Sequence, residues 1–231
     1  MPLPDFTSTT TFPPFTSLPF TTTASQPVEK QEQQQEEEEY YLLAEIKNNM
    51  TLTKPTLICT DSTGATSFAV VFDSRSAVPG PDALDLARLG YKRGATLVLP
   101  RARRTLRASS RQEGDGEGGN GFVAVSRADE AGVRVVPARL ELLRRVGALL
   151  RGKDAKWGDG TAGGRGCESC GRTTRKDGGR GANEEGKGGL MRCTGCGEME
   201  YCCKECQVKG WNEDGHKGDC KAIKAIRAIW P

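Results

Sequence analysis

Cysteine and histidine spacing is the strongest chemical signal in this chain of 231 residues. Eight of the nine cysteines and the only histidine lie between positions 167 and 220. Seven of these cysteines and the histidine form four pairs: Cys167-x2-Cys170, Cys193-x2-Cys196, Cys202-x3-Cys206 and His216-x3-Cys220. A CxxC turn aims two thiolates at one tetrahedral metal ion, and an x3 spacing places two ligands one helical turn apart on the same face. Four such pairs supply two closed zinc sites, which are structural because no coordination position stays open for water.

Two cysteines are left over from this pairing. Cys59 lies in an apolar run and is predicted to be a small buried side chain. Cys203 adjoins Cys202, and spacing alone leaves both open as the ligand, because Cys203-x2-Cys206 is also a workable turn. An odd cysteine count, CxxC pairs and an N-terminus without a secretory pattern argue against disulfides. We therefore expect a metal-binding module in a reducing compartment, the nucleus or the cytoplasm.

The segment CTGCGEMEYCCKECQVKGWNEDGHKGDC, residues 193–220, resembles a MYND-type zinc finger. Tyr201, Gln207, Trp211 and Lys217 all fall where the pattern of that family expects them. The resemblance extends back to Cys167 and so covers about a quarter of the chain. It implies a finger that contains a helix and binds two Zn²⁺ ions.

The resemblance also implies that the two zinc sites interleave along the chain. The first zinc would be held by Cys167, Cys170, Cys202 and Cys206, and the second by Cys193, Cys196, His216 and Cys220. Because the family places a ligand immediately after the aromatic residue, the resemblance selects Cys202 over Cys203. Two gaps exceed those of the family. The 22 polar and glycine-rich residues after Cys170 predict a solvated loop, and the nine residues before His216 predict a helix break after Trp211.

The resemblance carries a functional expectation as well. MYND fingers are protein-interaction modules, and many bind short proline-containing peptides, some of them in transcriptional corepressors. By resemblance, Gln207 and Trp211 would form a peptide-binding groove, since positions i and i+4 share a helix face. The alternative is that Trp211 packs over the zinc sites as the small core of the finger.

An enzyme is the less favoured class. MYND fingers also accompany SET-domain lysine methyltransferases, but a SET domain needs many residues beyond the finger and an Asn-His motif. The only histidine of this chain lies inside the finger. We therefore expect a non-enzymatic zinc-dependent adaptor, with an accessory role beside a lysine methyltransferase as the weakest alternative.

A small β-rich domain is predicted for residues 41–151. Strand-forming runs are Thr56–Asp61, Ser67–Asp73, Gly94–Pro100, Gly121–Ser126 and Val133–Ala138. A short helix is predicted from Pro81 to Gly90, and leucine and valine at helical spacing over residues 140–150 predict a closing helix. Five short strands with an inserted helix are typical of a closed or nearly closed barrel of the OB-like or SH3-like kind. The fold class is therefore an α+β barrel-like domain followed by the finger.

The remaining segments are predicted to lack a fold of their own. Residues 1–39 are rich in Thr, Pro and Glu, and the first 40 residues hold seven acidic residues against one lysine, which predicts a disordered tail. Within it, FPPFTSLPF (12–20) is either an inert stretch or a short docking motif, and it could occupy the peptide groove in cis. Residues 152–166 are predicted to be a Gly-rich linker and 221–231 a C-terminal tail.

The charge pattern does not favour nucleic acid or membrane partners. A net charge of +3 is too balanced to indicate a nucleic-acid binder. Arg101–Arg111 contains five arginines and is the candidate nucleic-acid contact, but it has no aromatic residue for base stacking. A solvated strand edge is the favoured interpretation, with a nuclear import signal as a third. No run of 18 apolar residues predicts a membrane helix.

Overall fold

The computed structural model describes residues 3–21, 39–73, 75–78, 80, 83–106, 121–157, 166–173 and 189–231. The chain forms two compact units. Thr7–Leu140 form the first, which we call the sheet unit. Met1–Phe6 and Glu141–Pro231 form the second, which we call the finger unit.

The sheet unit is built on one seven-stranded mixed sheet. Its strands are β1 (Tyr41–Asn49), β2 (Thr56–Thr60), β3 (Ser67–Phe72), β4 (Thr96–Pro100), β5 (Arg104–Thr105), β6 (Phe122–Val125) and β7 (Arg134–Val136). The spatial order is β5-β6-β3-β2-β1-β4-β7, and only the β3–β6 pair is parallel. A short helix, α1 (Arg127–Glu130), connects β6 to β7. The order ends at β5 and β7, and no pairing joins these edges in the described residues, so the predicted barrel closure is not shown.

The five predicted strands correspond to β2, β3, β4, β6 and β7. The long strand β1 was not predicted, although it buries Leu42, Leu43, Ala44 and Ile46 against the core. Its apolar residues are mostly consecutive and not β-branched, so the run lacks the alternation that marks a half-buried strand.

The helix predicted between Pro81 and Gly90 is wrong for the residues described there. Residues 86–90 form turns. The Asp85 carboxylate accepts a hydrogen bond from the backbone N–H of Arg88 at 2.9 Å, and Gly90 reverses the chain with φ of 78°. The aspartate therefore starts one turn that the glycine closes, with no room for a helix.

The predicted tail differs from what the structure describes for residues 3–21. Phe12, Phe15 and Leu18 are buried in the sheet unit. The Phe15 ring stacks on Phe68 with centroids 4.3 Å apart, and its backbone N–H donates to Asp61 Oδ2 at 2.7 Å. Aromatic side chains among the prolines supply the apolar surface that a polar tail lacks. Residues 7–21 are therefore part of the sheet unit, while residues 22–38 of the predicted tail lie outside the described residues.

The arginine-rich segment lies at one edge of the sheet. Residues 101–106 are described, and β5 there is the edge strand beside β6. Phe20 forms a parallel bridge with Arg104, whose guanidinium carbon lies 4.2 Å from the Phe20 ring centroid and 5.7 Å from that of Phe15. Arg104 is thus engaged in cation–π contacts inside the unit. Residues 107–111 of the predicted contact lie outside the described part of the chain.

The finger unit contains three helices and a short hairpin. Its elements are α2 (Leu140–Trp157), β8 (Met191–Arg192), β9 (Glu200–Tyr201), α3 (Lys204–Asn212) and α4 (His216–Ile229). Helix α2 matches the predicted closing helix, but from Glu141 onward it belongs to the finger unit, and it extends into the predicted linker. Most of the predicted C-terminal tail is helix α4, which buries Ala222, Ile223 and Ile226. No helix among the described residues combines the length and apolarity that crossing a bilayer requires.

Candidate metal centre

Four cysteine thiols converge at the first metal-binding group. Cys167 and Cys170 lie at either end of one turn, Cys202 follows β9, and Cys206 lies in the first turn of α3. The solvated loop predicted after Cys170 lies, for residues 174–188, outside the described residues. Their ligand atoms all lie within 4.8 Å of one another. The Cys202 sulfur is 3.6 Å from the sulfurs of both Cys170 and Cys206. The structure thus brings together residues from two separate CxxC-like pairs.

The second group combines three thiols and the imidazole. Cys193 and Cys196 lie on the turn between β8 and β9. His216 is the first residue of α4, and Cys220 lies one turn further along that helix. The ligand atoms again lie within 4.8 Å of one another. Cys193 Sγ and Cys220 Sγ are 3.8 Å apart, and Cys196 Sγ is 3.7 Å from His216 Nε2. The four pairs therefore interleave, as the resemblance to the family implies.

Donor chemistry and spacing of both groups fit zinc. A tetrahedral Zn²⁺ with Zn–S bonds of about 2.3 Å has sulfur–sulfur edges of about 3.8 Å. The sulfur–sulfur distances of 3.6–3.8 Å match those edges. At Gly195, inside the second CxxC turn, an added Cβ would lie 2.8 Å from Cys220 Sγ, so a side chain there would crowd the ligand cluster. The two groups fit two Zn²⁺ ions.

Backbone amides prepare one thiolate in each group. Burial favours the neutral thiol of Cys167, but N–H donors of Cys202, Cys170 and Ser169 outweigh it and lower the pKa to about 6. Burial likewise opposes ionisation of Cys193, yet donors that include the N–H groups of Cys196 and Gly195 lower its pKa. Hydrogen bonds to a thiolate stabilise the charged form that binds a metal.

The thiols of Cys202, Cys220 and Cys196 resist ionisation when no metal is bound. Burial, together with hydrogen bonds to neighbouring thiols, raises the pKa of Cys202 to about 11 and that of Cys220 to about 12. Burial also raises the pKa of Cys196. Clustered thiolates repel one another, so a divalent cation is what allows all of them to ionise together.

His216 is suited to bind as a neutral imidazole. Burial lowers its pKa, which favours the unprotonated ring that a metal needs. Nε2 faces Cys196, while Nδ1 is buried with no hydrogen-bond partner among the described residues. The longer gap before His216 is absorbed by the end of α3 at Asn212 and a turn through Gly215. The ligand therefore still reaches the second group.

The two spare cysteines lie outside both groups. Cys203 is the N-cap residue of α3, and its sulfur is 3.9 Å from that of Cys202. Cys59 is fully buried in β2, and burial raises its pKa to about 12.

The two residues predicted to bind peptide lie on one helix, α3. Gln207 is partly buried, whereas Trp211 leaves 38% of its surface exposed. The indole and the His216 ring pack in a T-shaped arrangement, with centroids 5.6 Å apart and an interplanar angle of 76°. Tyr201 is buried and approaches the same imidazole at 6.2 Å. Trp211 thus both packs beside a zinc ligand and presents an open surface.

Ion pairs from α2 to the finger were not predicted. Lys153, which is buried, pairs with Glu168, and Arg145 pairs with Asp219 at 2.5 Å. Arg227 of α4 makes a two-pronged contact with Asp154, at 2.6 and 3.0 Å. Asp219 lies between the ligands His216 and Cys220, so α2 is attached next to the second metal-binding group. These pairs are remote in sequence, which leaves no spacing signal to detect.

Residues 167–220 match the family described as MYND finger. This segment is a MYND finger. A 46-residue stretch of the chain is 41% identical to the human protein named histone-lysine N-methyltransferase SMYD3. The stretch covers 20% of this chain and only 10% of that protein, so the relative's name describes the activity of that protein alone. No solved structure matches the chain. The MYND finger identifies a zinc-binding protein-interaction module.

Proposed function

We propose that the MYND finger binds proline-containing peptide segments of partner proteins, and that the chain works as a non-enzymatic adaptor in transcriptional regulation. The binding groove is centred on Gln207 and Trp211. The observation that carries this proposal is the position of Trp211, which is 38% exposed while it packs against His216 in a T-shaped contact. A rigid, half-open indole is a preformed platform, and binding to it costs little side-chain entropy.

The chemistry of this face of α3 suits a peptide in the polyproline conformation. Proline rings dock on exposed aromatic surfaces, and their extended backbone leaves carbonyl groups free to accept hydrogen bonds. Gln207, one turn before Trp211, offers an amide donor and acceptor for that backbone. Val208 is 49% exposed on the same helix and extends the apolar surface.

Two features support an adaptor over the alternatives. All eight ligands are accounted for by two closed groups, which leaves no open position for catalysis at the metal. Arg104, central to the candidate nucleic-acid segment, is engaged by the rings of Phe15 and Phe20. Its guanidinium is therefore committed to the sheet unit and less suited to phosphate contact.

The test is a titration of the zinc-loaded full chain with an array of synthetic peptides that carry two prolines at varied spacing. We expect Gln207→Ala to weaken the best peptide by about 1 kcal/mol, roughly fivefold, which is the usual worth of a hydrogen bond. Lys209→Ala, on the opposite side of α3, is the matched control and should bind as the wild type does. Binding by Gln207→Ala within about 0.5 kcal/mol of wild type would place the groove elsewhere.

A further inference from the structure

A short proline-containing segment of the chain is seated on the finger unit. Leu3–Phe6 belong to this unit, and Leu3 and Phe6 are 5% and 2% exposed. The Phe6 ring meets Trp230, the residue after α4, edge to face with centroids 5.0 Å apart and an angle of 73°. The segment itself has no helix or strand structure. It is therefore held by what its side chains contact.

The slot for Phe6 exists because α2 carries a glycine at its floor. A Cβ added at Gly147 would lie 2.2 Å from Cδ2 of the Phe6 ring, so any other residue would exclude the ring. Glycine inside a helix costs about 1 kcal/mol relative to alanine. Helix α2 therefore has a residue that disfavours helix at the position that the Phe6 ring contacts.

A cationic rim completes the slot. Arg151 of α2 pairs with the Asp5 carboxylate at 2.8 Å, and Arg144 Nε donates to the Phe6 carbonyl oxygen at 3.4 Å. The Arg151–Asp5 side chains are 37% and 43% exposed. An ion pair this exposed adds little affinity, but it selects an acidic residue immediately before the aromatic one.

We propose that this slot is a second peptide-docking site, which recognises an aspartate–phenylalanine pair, and that Leu3–Phe6 is its resident ligand in cis. A partner segment with the same acidic–aromatic chemistry binds there by displacing the resident segment. Recognition through two adjacent side chains, one in an apolar slot and one on a cationic rim, is typical of short linear motifs. The site uses α2 and the end of α4, so it does not depend on the Gln207 and Trp211 groove.

Tethering sets the affinity that a partner needs. Because the resident segment and the slot belong to one chain, their contact is intramolecular and competes with any ligand added in trans. The resident segment therefore screens the slot against weak ligands in trans. Removing its anchor should expose the site to an added peptide of the same sequence.

The experiment uses the zinc-loaded full chain and a labelled synthetic peptide, MPLPDFTS, followed by fluorescence anisotropy and by the indole N–H resonance of Trp230. We expect Phe6→Ala to bind the peptide at least tenfold more tightly than wild type. The Trp230 resonance should shift in the variant and return toward its wild-type position as peptide is added. A peptide with Asn-Ala in place of Asp-Phe is the matched control. It keeps both prolines, so any binding it shows reports the Gln207 and Trp211 groove, and it should leave the Trp230 resonance of the variant unchanged.

Adding Gly147→Leu to Phe6→Ala blocks the slot and should abolish the peptide-dependent shift of the Trp230 resonance. Adding Gln207→Ala to Phe6→Ala affects only the groove and should leave that shift unchanged. If Phe6→Ala retains two zinc ions yet fails to bind the peptide, the segment is only part of the fold and the proposal is wrong. Equal binding by wild type and Phe6→Ala also overturns it. Should Phe6→Ala lose zinc, Phe6→Leu replaces it, and a gain in peptide binding smaller than threefold would count against the site.

Discussion

The sheet unit and the finger unit are stabilised by different physics. The sheet unit encloses a continuous apolar core in which Leu42, Leu57, Val70 and Leu97 have no exposed surface. The finger unit has fewer large apolar side chains in its ligand-bearing part, where Cys167, Cys193 and Cys220 are themselves among the buried residues. In the first unit folding depends on removing apolar area from water, and in the second it depends on a metal.

Buried charge follows the same division. Of the buried polar side chains among the described residues, Asp61 and Thr96 belong to the sheet unit, and the finger unit holds the other four: Lys153, Glu200, His216 and Asp219. Lys153 and Asp219 join α2 to the finger through Glu168 and Arg145. Charged groups at such depth are stable only while their partners stay in place. Helix α2 is therefore coupled to metal binding. A helix that only closed the sheet unit would not be coupled in this way.

The largest effect should follow from removal of zinc. A structural zinc ion supplies about 10–16 kcal/mol to the fold that holds it, so a chelator should unfold the finger unit. We expect amide hydrogen exchange to lose protection over residues 141–157 and 189–229, while β1–β4 stay protected.

The exchange protection of α2 decides between three outcomes of this measurement. Protection that persists across α2 after zinc removal would show that the helix is stable without the finger. Loss of protection in both units together would show a single cooperative structure. An untreated zinc-loaded sample under the same exchange conditions is the control.

The next largest effect concerns the sheet core. Phe15→Ala should lower the free energy of unfolding of the sheet unit by about 3–5 kcal/mol, because it empties the site stacked on Phe68. The matched control is Phe20→Ala, since Phe20 is 47% exposed and should cost much less. Chemical denaturation gives the change, and the zinc content should remain two in both variants. No loss of stability in Phe15→Ala would restore the interpretation of residues 7–21 as a tail.

The features that could be predicted from the sequence are those whose residues lie close together along the chain. The cysteine and histidine pairs are visible because each ligand lies within one turn of its neighbour, and strands such as β2 and β3 are visible as β-branched runs. Strand β1 was missed because its apolar residues are consecutive. Its periodicity is ambiguous between strand and buried helix.

The remaining misses are long-range. Composition predicts a tail for residues 1–39. The apolar side chains at positions 12, 15 and 18 are nevertheless buried, because they pack against residues that are distant in sequence. Helix α2 was predicted from its leucine spacing, yet its assignment to the finger unit depends on pairs such as Lys153–Glu168. A single sequence holds no record of such partners.

A smaller effect should mark the attachment of α2. Lys153→Met removes the buried ammonium but keeps a long side chain, so Glu168 loses its partner. We expect the finger unit to lose about 1–3 kcal/mol, the cost of leaving a partly buried charged group unsatisfied. Lys47→Met removes the more exposed partner of Glu45 in the sheet unit and is the control. If denaturation curves show an equally small loss in the free energy of unfolding for both variants, Lys153 contributes no more than an exposed ion pair does.

The smallest expected effect distinguishes the neighbours Cys202 and Cys203. Cys203→Ser should leave two zinc ions per chain by elemental analysis, because its sulfur lies outside both ligand groups. Cys203 is also the N-cap of α3 in an extended conformation, with φ of −155°, and makes no capping hydrogen bond through its side chain. Serine is a preferred cap residue, so the variant should hold or raise finger stability by up to about 1 kcal/mol. Cys202→Ser, the positive control, should lower the zinc count. If the two variants exchange these results, Cys203 is the ligand, and α3 begins one residue later relative to the metal.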